Sequence, residues 1–220
     1  MLLPFTHDQF LDTFGGYNAA LWPVALLLWI ASAIILVLVA RRARGAGLAA
    51  TWLLAVLWSW SAVAYHLAWF RAINPVATVF ALAFLVQAAL FLWRATPSRA
   101  LEFDARAARY GTIGMALAGY ALLYPALGLL GMQWPRVPSY GVPCPTGILT
   151  AGFLLMTVPA APRPLAILPI LWGAIGGSAA IALGIRADFA LTVAMLMLVG
   201  WCVMHRPRLP VARRVPGAGA

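Results

Sequence analysis

Long apolar runs, separated by short polar stretches, dominate the chain. They occupy residues 18–40, 47–70, 75–93, 111–130, 145–161, 164–185 and 189–204. A helix needs about 20 apolar residues to cross the hydrocarbon of a bilayer. The runs at 145–161 and 189–204 lie near the lower limit of about 17. None alternates apolar and polar positions, and lipid offers no partner for a strand's open backbone groups, so the runs are predicted to be helices. The pattern predicts an all-α, polytopic transmembrane helix bundle of seven spans, one domain over 18–205. An N-terminal interfacial segment at 1–17 precedes it, and an Arg- and Pro-rich cytoplasmic tail at 206–220, expected to be disordered, follows it.

Arginine placement sets the predicted orientation. Lys and Arg in short loops are retained in the cytoplasm. With seven spans, the arginines at 41–44, 94–109, 163 and 206–214 fall on one side, and only Arg71, Arg136 and Arg186 fall on the other. That predicts an external N-terminus and a cytoplasmic C-terminus. If the fifth run merely re-entered, the two sides would carry nearly equal numbers, which disfavours six spans.

The first seventeen residues contain Asp8 and Asp12 but no Lys or Arg, unlike a signal peptide. Thr6 with Gln9 forms a capping-box pattern, and Phe5 with Phe10 forms a hydrophobic staple, so a helix should begin near His7. Its apolar residues would rest on the outer leaflet. Further along, Gly173, Gly176 and Gly177 give the sixth run a small-residue face suited to close helix approach, as Gly114 does in the fourth. Pro23, Pro125 and Pro169 lie inside runs and should kink them, freeing carbonyls that neighbours must satisfy.

Composition sharpens the class. The chain is 64% apolar and 9% charged, with a net charge of +10. A water-soluble globule carries about a quarter charged residues, so the bilayer is the partner that supplies the missing polar surface. The basic residues are all Arg and flank the apolar runs, a topogenic pattern with no nucleic-acid partner implied. With no lysine, a retinal Schiff base in its usual form is excluded, and no other cofactor is indicated. All five acidic residues, Asp188 included, fall in predicted loops or at their edges. No carboxylate is then expected mid-membrane, which argues against an acid-based proton-coupled pump.

Candidate chemistry gathers at the outer ends of the runs. Asn18, Tyr65, His66, Asn74 and Cys144 would line a shallow outward-facing pocket, with Ser59 sharing a helical face with His66. The structural alternative is that His66 makes one hydrogen bond at a helix end and Asn74 caps the third run before Pro75. Cys144 sits in a rigid Pro-Cys-Pro-Thr entry. A thiol beside imidazole suits a soft metal, but a tetrahedral centre needs three or four ligands, and besides His66 and Cys144 only His7 could join. Cys202 and His205 lie one turn apart at the opposite end, too far from Cys144 for a disulfide.

The opening LPFTHDQFLDTFGGYNAALWP, YHLAWFRAINP at 65–75 and YGVPCPTGILTAG at 140–152 resemble a family of uncharacterised bacterial multi-pass integral membrane proteins. The resemblance implies a multi-pass topology in the bacterial inner membrane and no activity. It draws attention to Tyr65, His66, Asn74, Pro75, Pro143, Cys144 and Pro145. Three readings follow. The first is transport or channel function for a small solute or metal ion through the outward pocket. The second is an accessory subunit, docked through a Gly-rich face onto another membrane protein or onto a second copy as a homo-oligomer. The third is a membrane enzyme using Cys144 and His66 as nucleophile and base, for which no orienting carboxylate is evident beyond Asp8 or Asp12.

Overall fold

A computed structural model describes residues 4–204, and the predicted tail and His205 lie outside the described residues. Seven α-helices follow one another: α1 (His7–Ala40), α2 (Ala46–Trp60), α3 (Ala77–Arg94), α4 (Gly111–Leu129), α5 (Pro143–Leu155), α6 (Pro164–Leu183) and α7 (Phe189–Met204). α2 continues as a π-helical turn, Ser61–Leu67, and short 3-10 turns occupy Phe70–Ala72 and Arg186–Asp188. Six of the helical segments are long and apolar enough to cross a membrane.

The side-chain distribution is that of a membrane protein. Large apolar residues such as Leu27, Ile34, Val79, Leu82, Leu123 and Ile181 point outward and are more than half exposed. Ser61, Gln87, Thr146 and Thr150 are fully buried within the bundle. Lipid tails solvate the former, and the latter hydrogen-bond to one another or to backbone where water is absent.

α1 begins at His7, where the sequence places it. Thr6 Oγ1 accepts from the Gln9 amide at 3.2 Å, the Thr6 amide donates to Gln9 Oε1 at 2.8 Å, and the rings of Phe5 and Phe10 stack 5.7 Å apart. A separate interfacial helix over 1–17 is corrected, however, because α1 runs unbroken for 34 residues. Gly15 and Gly16 do not interrupt it. A side chain on Gly16 would come within 2.2 Å of the Trp69 ring, so the glycine lets the neighbouring wall close on the helix. Phe14 stacks on Tyr65, and Asp8 and Asp12 pair with Arg136, so this stretch is fastened to the rest of the bundle.

α5 departs most from expectation. The predicted 145–161 span is a 13-residue helix, Pro143–Leu155, of about 20 Å. Every residue of it except Cys144 is buried. Its first turn lies beside Ser61, which bonds the Gly141 carbonyl at 2.8 Å, and beyond its last turn Thr157 bridges Phe103. Shielded by the other helices, it needs no full apolar length, and irregular backbone at either end is tolerated because it is enclosed by protein.

Small residues set the helix spacing. A Cβ on Gly114 would stand 2.5 Å from the Gly152 carbonyl oxygen, so α4 and α5 cross nearly backbone to backbone. On α6, a Cβ on Gly173 or Gly177 would strike Met195 or Thr192 of α7 at 2.6 and 2.4 Å. Gly176 faces Leu191 and Trp172. These glycine faces are therefore occupied within the chain, which corrects their availability to a second protein. Pro169 deprives the Leu165 carbonyl of its helical donor, and the Gln87 side chain supplies one at 3.0 Å.

Candidate functional site

At the end of the bundle where α1 begins, a cavity of about 900 Å³ opens between the start of α1, the end of α4, the 130–136 connection and the turn before α7. His7, Gln133, Trp134, Arg136 and Arg186 are among its lining residues. Arg136 bonds Asp8 at 3.0 Å and pairs with Asp12 at 2.8 Å, tying the 130–136 connection to α1. Tyr120 and Ala187 also line the cavity, joined by a 2.9 Å bond from the Tyr120 hydroxyl to the Ala187 carbonyl.

Immediately behind Ala187 lies Asp188, only 2% exposed. The Tyr124 hydroxyl donates to its Oδ1, and Cys144 lies close enough to interact electrostatically with the same carboxyl. Three helical elements build this group. Tyr120 and Tyr124 stand one turn apart on α4, Cys144 enters α5 between two prolines, and Asp188 closes the 3-10 turn that leads into α7. Asp188 thus stands where the sequence puts it, in a turn at the edge of an apolar run, but its burial there is not foreseen from the sequence. The available signal was an acid abutting an apolar run, with two tyrosines at helical spacing on a neighbouring run.

The candidates from the sequence are distributed differently. Asn18 is fully buried and donates to the Pro135 and Val137 carbonyls at 2.6 and 2.7 Å, pinning the 130–142 connection to α1. The Asn74 side chain accepts from the Val76 amide at 3.2 Å, at the entry to α3. Tyr65 stacks between Phe14 and Phe70. His66 is wholly buried among the rings of Phe70, Phe80, Phe84 and Trp172, and neither ring nitrogen has a hydrogen-bond partner. Of the five, only Cys144 belongs to the Asp188 group, and none lines the cavity.

The π-helical turn explains why Ser59 and His66 part company. Its wider winding breaks the seven-residue register, leaving Ser59 in a shallow crevice with Val56, Val63 and Leu92 while His66 turns inward. His66 and Cys144 therefore have separate surroundings and form no nucleophile–base pair. His7, beside the cavity, joins neither. Among the described residues no three of His, Cys, Asp or Glu gather where they could hold a metal ion. Cys202 lies at the other end of the bundle, where its carbonyl accepts from Arg163 at 2.8 Å.

No curated protein and no solved structure matches the chain. The profile of a family of unknown function, DUF6064, matches residues 7–212, and the chain belongs to that family.

Proposed function

We propose that this chain is a transport protein of the bacterial inner membrane, admitting a small solute through the cavity at the α1 end. One observation carries the reading: the cavity wall includes Ala187, next in the chain to the buried carboxyl of Asp188. Ionisable groups inside a membrane bundle are costly to maintain and mark solute or ion paths. In this reading the chain crosses the bilayer seven times, with α5 and its flanking connections making one enclosed crossing. The cavity faces outward, and the end carrying Arg42, Arg94 and Arg163 faces the cytoplasm. The accessory-subunit reading loses its proposed surface, because α5 and α7 of the same chain cover the glycine faces of α4 and α6.

Proteoliposomes swollen in isosmotic glycerol, urea, glycine or sodium acetate test this. At least one solute should enter faster than in protein-free vesicles. Gln133→Cys, modified from outside with a bulky sulfonated maleimide, should lose that excess, whereas equally treated wild type should keep it. Entry of none of the four, or entry unchanged in the modified variant, would overturn the proposal.

A further inference from the structure

We propose that Asp188 is a proton-binding site in exchange with the cavity at the α1 end. Its use as the coupling site of transport rests on the reading above.

Geometry carries the assignment. The carboxyl is 2% exposed, yet its neighbour Ala187 and, through it, Tyr120 form the cavity wall. The titratable groups near it are the Tyr124 hydroxyl, which donates to it, and, farther off, Tyr120 from α4, Cys144 from α5 and Tyr65 from the π-helical turn. Arg186, two residues earlier, lines the cavity instead. Among the described residues no cation pairs with Asp188. An ionised carboxylate there has the Tyr124 hydroxyl as a donor but no counter-charge, and a proton is the ligand that removes the charge without needing further space. In the binding step a hydronium ion in the cavity gives its proton to a carboxylate oxygen of Asp188, leaving water and a neutral acid. Release is the reverse. Tyr124 serves as the donor that positions the carboxyl.

Infrared difference spectra of the protein in nanodiscs, taken between about pH 5 and about pH 9, test the site directly. Wild type should gain the carbonyl band of a protonated carboxyl on the acid side, and Asp188→Asn should lack it. Tyr124→Phe, which keeps the carboxyl, should move the band, providing a readout if Asp188→Asn does not fold. A band that Asp188→Asn retains, or one absent from wild type, would overturn the site. Solute entry without the Asp188 band would sink this inference alone, and the band without solute entry would sink only the transport reading.

Discussion

His66 and Asp188 are both enclosed by apolar helices, yet the bundle treats them in opposite ways. His66 lies among four aromatic rings with both nitrogens unpaired, whereas Asp188 accepts from the Tyr124 phenol and has a cavity wall one residue away. The imidazole fills space between rings, much as another aromatic ring would. The carboxyl is held by a phenol from a neighbouring helix. Burial of a polar residue is therefore a poor guide to use, and a hydrogen-bond partner together with proximity to an opening is the better one.

Removing a polar group should have opposite consequences at the two places. Tyr124→Phe deletes the donor to a buried carboxyl and should destabilise the protein by about 2–3 kcal/mol, read as a lower thermal midpoint in detergent. If the midpoint is unchanged, Asp188 does not depend on that hydroxyl. His66→Phe substitutes a ring for a ring and removes two unsatisfied nitrogens, so it should stabilise by about 1–2 kcal/mol and leave solute entry intact. Abolished entry would return His66 to the site. Gln87→Leu lies between these extremes: it leaves the Leu165 carbonyl beside Pro169 without a donor and should cost about 1 kcal/mol, as the same melting measurement would show.

The smallest effect should come from outside the spans. Partial desolvation raises the Asp104 carboxyl, but the amides of Arg106 and Ala107 and the Arg42 guanidinium together outweigh it and hold it below the usual carboxylate value. With the folded value depressed, its contribution is present above the unfolded carboxylate range and is lost as pH falls through the folded value. The gap in thermal midpoint between wild type and Asp104→Asn should be constant at neutral pH and close on acidification. A gap that widens instead would reverse the sign of the interaction.

Much of the framework is legible from local signals. The apolar runs give six of the helices, Thr6 and Gln9 mark where α1 starts, and Pro169 announces a carbonyl in need of a partner. These features depend on residues within a few positions of one another. The site depends on tertiary placement. Asp188 reads as a loop residue until the turn at 184–188 folds against α4 and α5, and no spacing in the sequence relates it to Tyr124 or Cys144. His66 was misplaced for a different reason, since a π-helical turn alters the register and no single residue type announces one. α5 is short because other helices shield it, so the length rule for a lipid-facing span does not apply to it.

The unbroken length of α1 bears on where the mouth of the cavity sits. Thirty-four residues of helix extend for about 50 Å, whereas hydrocarbon occupies about 30 Å. In the proposed topology the surplus acts as a mast: with the later turns of α1 embedded in the bilayer, His7 and the Asp8–Arg136 fastening would stand among headgroups and water. A solute arriving there would exchange its hydration for polar side chains before meeting any acyl chain, so the membrane itself need not dissolve it.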